Sequence, residues 1–180
     1  MFKRSIQSSL ASLSSAFSIV TGTSCRSCIK IIKHDDAQDP PVFYTETLRR
    51  NRKIPKTQNK DDPAQIDHNT DFNILYATDN EENFFFAGNL LKRKHYDNSN
   101  WPSKHDEREA FIKKKKYKYV STIVWPIRER EGDDAPKVIG FLCVDSMARN
   151  AFWRRYDIDY GATIADVLYP ILLEYRKAFS

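Results

Sequence analysis

From Tyr117 to Ser146 the chain carries two apolar runs with a polar interval between them. The first, Tyr119 to Ile127, and the second, Val138 to Val144, are rich in β-branched and aromatic residues. The interval holds charges, Gly132, Asp133, Asp134 and Pro136, the composition of a turn. Two such runs joined by a polar connector predict a β-hairpin. Tyr119, Ile123 and Trp125 fall on one alternating face, Val120 and Val124 on the other. A strand covered on one side only shows cleaner polar alternation. The hairpin is therefore expected at the centre of a sheet with material on both sides.

A chain of 180 residues with 41% hydrophobic and 13% aromatic content predicts one domain with a sizeable core. No run approaches the roughly 18 apolar residues of a spanning helix. The net charge of +5 is unevenly placed. No acidic residue precedes Asp35, and that segment holds Lys3, Arg4, Arg26, Lys30 and Lys33. The remaining basic residues balance the acidic ones, so the chain reads as a basic end on a neutral body. That weakens a broad nucleic-acid-binding surface as a reading. Three cysteines, Cys25, Cys28 and Cys143, argue against a disulfide framework and fit a reducing cytoplasm.

Residues 1–21 read as an amphipathic helix. Phe2, Ile6, Leu10, Leu13 and Phe17 recur at steps of four, four, three and four. The same stretch, basic, Ser-rich and free of acid, also has the composition of a mitochondrial transit peptide, and less well of a secretory signal. A folded first helix is the reading adopted, ended by Gly22. Ser27–Lys33 and Val42–Leu48 read as strands, with Pro40-Pro41 in the turn between them. Residues 49–66 read as an exposed loop. Asp67–Ala77 reads as a short helix, Arg108–Lys118 as a helix end, and Ala148–Tyr156 as a helical turn. Residues 159–178 form the last long helix, with Ile164, Val167, Leu168, Ile171, Leu172 and Tyr175 on its apolar face and Pro170 inside it.

The pattern Tyr-x-Ser-x-Ile-Val-x-Pro-Ile, a polar turn, then Val-Ile-Gly-x-Leu-x-Val-Asp-Ser resembles the last hairpin of a GAF domain. Thr163-Ile164-Ala165-Asp166-Val167-Leu168 sits where that family's final helix follows. The resemblance is specific over 117–179 and consistent over 10–51. It implies an α/β (α+β) fold: an antiparallel sheet with two hairpins, helices on both faces, and the terminal helices packed together. It places a ligand pocket between the sheet and the inserted cap segment 67–118. It also implies a non-enzymatic sensory or regulatory module that binds a small molecule or a partner protein. The terminal helices would pair in a homodimer, and an effector would be addressed in trans. The alternative is a ligand-free interaction module that docks through its basic first helix on an acidic partner or membrane surface.

The cap segment is dense in aromatic and amide groups, including Phe84, Phe85, Asn98 and Asn100, and a mostly apolar pocket with a few polar groups draws on such a set. Candidate ligand-binding residues are Asn69, Asp71, Phe72, Phe86, Asn89, Tyr96, Trp101 and, on the central strand, Ser121, whose hydroxyl needs a partner. The same aromatics equally serve as core. The signature of the cyclic-nucleotide branch is not found. The cap segment has no cysteine for bilin attachment or for the chemistry of the free methionine sulfoxide reductase branch. Cys25-Arg-Ser-Cys28 is a CxxC, but it has no second ligand pair for zinc and leads from a helix into a strand, so its thiols read as structural. Cys143, in a buried strand, reads as inert. His95 and His105 flank the 96–102 loop and read as solvated rather than metal-binding. Lys113–Lys116 with Tyr117 reads as a charged helix end before a nucleic-acid contact. No catalytic constellation is visible and no cofactor is assigned.

Overall fold

Two strands far apart in sequence form the middle of the molecule. In a computed structural model we describe residues 2–51, 63–77, 82–99, 101–114, 119–129 and 136–179. Strand β1 (Cys25–Asp35) pairs antiparallel with β2 (Val42–Arg50) on one side and with β6 (Lys137–Ser146) on the other. Strand β5 (Ser121–Glu129) forms the expected hairpin with β6, in register from Ser121 opposite Ser146 to Glu129 opposite Lys137. Short strands β3 (Ala64–Gln65) and β4 (Phe85–Ala87) close the edges, giving the order β3-β2-β1-β6-β5-β4. The tip of the β5–β6 hairpin, 130–135, lies outside the described residues.

The expectation of material on both sides holds. Helices α1 (Phe2–Thr21) and α4 (Asp157–Phe179) lie on one face. Ile6, Leu10, Leu13 and Phe17 of α1 join Ile29, Ile123, Trp125 and Val144 of the sheet and Leu168 and Leu172 of α4 in one core. Phe17 meets Tyr160 of α4 at 5.5 Å between ring centres, so the terminal helices sit side by side. Gly22 ends α1 in the left-handed region, φ 64°, where only glycine is unstrained. Opposite lie α2 (Thr70–Tyr76), a 3-10 turn at Leu90–Lys92 and α3 (Glu107–Lys113), roofing a second core of Phe72, Leu75, Tyr96, Trp101, Val124 and Phe141.

Several boundaries differ from expectation for local reasons. Residues 49–50 continue β2, and Ala64–Gln65 adds an edge strand inside the stretch read as loop. Its pairing with Tyr44 and Thr45 supplies backbone hydrogen bonds that a polar sequence does not advertise. Residues 52–62 lie outside the described residues. Tyr119 precedes β5 and packs into the second core, not on the face of Ile123 and Trp125, because strand alternation begins only at Ser121. Helix α4 starts at Asp157, whose carboxylate accepts from the Trp153 N–H at 2.7 Å. It continues through Pro170.

Close approach decides one position in α4. A Cβ on Gly161 would fall 2.1 Å from Cζ2 of Trp125. The indole lies flat against the helix there and donates to the Ile158 carbonyl at 2.9 Å. Helix propensity alone predicts that Gly161→Ala gains about 1 kcal/mol. Overpacking against the buried indole costs about 1–3 kcal/mol and endangers its hydrogen bond, so we expect a net loss of about 2 kcal/mol. Urea denaturation measures the sign, and a gain would mean that the indole turns aside freely.

Candidate functional site

Alternation along the central strands sorts the ionisable residues. Even-numbered positions of β1 face the cap: Cys28 belongs to the second core, and Lys30 Nζ stands 5.6 Å over the Phe72 ring. Phe141 and Cys143 of β6 face the same way, as does Val124 of β5. Register then lays out two cross-strand rows. Thr122, Asp145 and Arg26 stand side by side across β5, β6 and β1. Val124, Cys143, Cys28 and Arg50 form the next row, across four strands. This polar floor lies beneath α2, which contributes Asp71 and Phe72.

Two carboxyls on this side titrate far from the ordinary range. Burial pushes Asp71 up to about 6, against the hydrogen bond from Tyr96 and with a further push from the charge on Asp145. Burial also pushes Asp145 up to about 6, against the Thr122 hydroxyl, which donates at 2.7 Å, and the charges of Arg50, Arg26 and Lys30. The thiols of Cys28 and Cys143 are hydrogen-bonded to each other. That bond holds Cys28 below the usual thiol range, helped by Arg50 and Lys30, and holds Cys143 well above it.

The cap segment builds its own scaffold. Tyr96 Oη donates to Asp71 Oδ2 at 3.2 Å and accepts from Asn98 Nδ2 at 3.0 Å. The Phe72 N–H donates to Asp71 Oδ1 at 3.1 Å. Asn69 accepts from the backbone and hydroxyl of Ser99 and donates to the Gln65 carbonyl. The guanidinium of Arg108, 1% exposed, donates to the carbonyls of Arg93, Tyr96 and Pro102 and faces the rings of Tyr96 and Trp101.

Of the eight residues singled out in the sequence, the structure gathers Asn69, Asp71, Phe72, Tyr96 and Trp101 under the cap, all buried. Asn89 instead caps the 3-10 turn, accepting from the Leu91 N–H at 3.1 Å. Phe86 packs toward the first core and also lines an open cleft of about 270 Å³ at the β4 edge, with Phe84, Phe85, Ile74, Glu82, Arg93 and Arg154. In that cleft Arg93 lies 4.4 Å over the Phe85 ring and Arg154 lies 5.7 Å over Phe84. Ser121 faces the helices α1 and α4, not the cap, and donates to the Ala148 carbonyl at 2.8 Å. Asn100 and 115–118 lie outside the described residues.

The floor residues Arg26, Cys28, Lys30, Arg50, Cys143 and Asp145 were not singled out as ligand contacts. The signal available was parity: each falls on the same face as Val124 and Phe141 once register is known. The CxxC dissolves on the same ground, since Cys25 faces the first core and Cys28 the second. Among the described residues no group of three or more His, Cys, Asp or Glu could hold a metal, and no helix is long and apolar enough to cross a membrane.

No protein-family model and no curated protein matches the sequence. Solved structures do match, at low identity. A type II free methionine-R-sulfoxide reductase from Thermoplasma acidophilum superposes with a TM-score of 0.60 at 13% identity, over 97% of this chain and 96% of that one. A GAF domain region of a protein from Geobacter sulfurreducens gives 0.59 at 12%, over 95% of both chains. Another GAF domain structure gives 0.54 at 12%, over 89% of this chain and 73% of that one. With its six-stranded antiparallel sheet between paired terminal helices and a helical cap, the chain has the fold of a GAF domain.

Proposed function

We propose that the chain is a non-enzymatic sensory or regulatory module of the cytoplasm that binds a small polar molecule between the cap and the sheet. The observation that carries this reading is the polar floor. Arg26, Lys30, Arg50 and Asp145 stand half-buried on the cap-facing side of the sheet, with buried Asp71 of α2 above them, where uncharged residues would cost less to bury. Groups of both signs fit a small amphoteric ligand, its cationic group toward Asp145 and Asp71 and its anionic group toward Arg50 and Lys30. Phe72, Tyr96 and Trp101 form the roof, with Asn69 pinning it. Phe86 and Asn89 belong to the neighbouring edge, and Ser121 serves the opposite face.

The free methionine-R-sulfoxide that names one structural neighbour is the first compound to offer. Native mass spectrometry on the protein as purified reports retained mass and oligomeric state together. We expect a discrete retained or added small-molecule mass without turnover when a thiol reductant is supplied. Asp145→Asn should weaken its binding by at least about tenfold, and Arg93→Gln at the edge cleft should not. Turnover would overturn the non-enzymatic reading. Loss on Arg93→Gln alone would move the site to the cleft.

A bare species would put the interaction reading first, and one observation favours it. The ends of α1, β6 and the loop leading into α4 meet at one end of the molecule, where Ile19, Val20, Met147, Trp153, Tyr156 and Tyr160 are exposed, Trp153 by 68%. An effector in trans fits this end better than it fits the first helix, whose apolar stripe is spent on the core. The same burial bears on the homodimer. Leu13 and Leu172 are 4% and 0% exposed within one chain, so a dimer through the terminal helices would use their outer faces.

A further inference from the structure

We propose that Cys28 and Cys143 form a redox-active dithiol that a small hydroperoxide converts to a disulfide across β1 and β6. The two cysteines are 115 positions apart in sequence yet directly opposite in the sheet, on neighbouring antiparallel strands. Both side chains face the cap from directly opposed positions, in the same cross-strand row. Directly opposed residues of an antiparallel pair hold their Cα atoms about 4.5–5.5 Å apart, inside the range a disulfide spans. Closing the bond therefore needs side-chain rotation, not strand movement. Cys25 is excluded from this chemistry by parity, since it faces the other core.

The surroundings assign the roles. Cys143 donates its S–H to Cys28, and Arg50 and Lys30 add positive charge beside Cys28, which favours its thiolate. Arg50 and Lys30 beside the pair are half-buried and each cysteine is 4% exposed, so the oxidant that suits it is one as small as hydrogen peroxide. The Cys28 thiolate attacks one peroxide oxygen. The O–O bond breaks, the departing hydroxide takes a proton and leaves as water, and Cys28 becomes a sulfenic acid. Cys143 sulfur then attacks Cys28 sulfur and loses its proton. The S–O bond breaks, a second water leaves, and the S–S bond forms. Two thiols are oxidised and one peroxide is reduced. The pair is flanked by Asp145, Lys30 and Arg50, so the change falls at the floor of the cap-side site but needs no ligand there.

The test uses the intact folded protein. Treat it with a slight excess of hydrogen peroxide, block the remaining thiols under denaturing conditions without reductant, and digest with trypsin. Cleavage at Arg4, Arg26, Lys30, Lys137 and Arg149 puts the three cysteines in three peptides. We expect residues 27–30 joined to 138–149, two thiols lost of three, and Cys25 alkylated in residues 5–26. In Cys143→Ser, dimedone should label Cys28 as a trapped sulfenic acid, and in Cys28→Ser it should label nothing at Cys143. Three alkylated thiols after peroxide, a bond that uses Cys25, or a bond between two chains would overturn the proposal. The cross-link in the unaltered protein is decisive even where a variant fails to fold.

Discussion

Replacing Arg108 with leucine should cost about 4 kcal/mol of stability, the largest effect we expect from one substitution in the cap. By composition Arg108 is one charge among many in an α3 that reads as a solvated helix end. In the structure its guanidinium is as buried as any core leucine, and it serves three carbonyls from separate parts of the loop. Leucine keeps the volume and removes the donors. The carbonyls of Arg93, Tyr96 and Pro102 then lose the donors that the guanidinium supplies, at about 1–2 kcal/mol each. Lysine is the discriminating control. Its compact ammonium keeps the charge but lacks the planar fork that reaches several acceptors at once, so Arg108→Lys should recover about half. Urea denaturation gives the totals. Hydrogen exchange should show the loss first at 93–108, before the central strands. A cost below about 1 kcal/mol would mean that the cap is held by its aromatic packing alone.

What the sequence made legible follows from which signals are local. The β5–β6 hairpin announced itself because β-branched and aromatic runs flank a polar turn. Helix α1 did so because Ile6, Leu10, Leu13 and Phe17 repeat at helical spacing. The first hairpin and α4 were placed to within two or three residues at either end on the same grounds. Strands β3 and β4 were not legible, since two or three residues carry no period and owe their existence to partners already in the sheet. The candidate site divides the same way. Asp71, Phe72, Tyr96 and Trp101 stand out in the sequence as candidates because the cap segment is dense in aromatic and polar groups, and the structure buries all four together. Arg26, Cys28, Lys30, Arg50 and Asp145 were not, because each looks ordinary alone and they become one surface only through cross-strand register. Ser121 shows the converse. A polar residue on a central strand is a sound signal for a buried partner, but parity decides which side that partner is on. Here it is the Ala148 carbonyl. Leu13 and Leu172 carry the same lesson for helix faces. An apolar stripe predicts burial without telling whether the sheet or a second copy does the burying.

Between about pH 7 and pH 4.5 the protein should become more stable, not less, by about 2 kcal/mol from Asp71. The sign follows from the direction of the shift. The folded state holds Asp71 protonated up to about 6, whereas the ordinary value is 3.8. Between those values the folded chain binds the extra proton, so stability falls as pH rises. It is greatest below the ordinary value and levels off above about 6. The full difference amounts to about 3 kcal/mol at one group. Asp145 adds to the same slope by less, because its side chain keeps some contact with solvent and the nearby cations Arg50, Arg26 and Lys30 oppose the shift. Denaturant titrations at a series of pH values measure it. Asp71→Asn should flatten the slope and raise stability near neutrality, by less than the full amount because its amide cannot accept from both Tyr96 and the Phe72 N–H. A profile that falls with acid across this window would place a partner cation on Asp71. The slope also reads the site. A charge held at a cost in the empty protein is a charge that a cationic group can satisfy, and a ligand that brings one near Asp71 must draw its pKa back down. Saturating ligand should therefore flatten the wild-type profile as Asp71→Asn does, with the greatest stabilisation at neutral pH where the carboxylate is otherwise most costly. Equal stabilisation at all pH values would mean that the ligand binds without engaging Asp71.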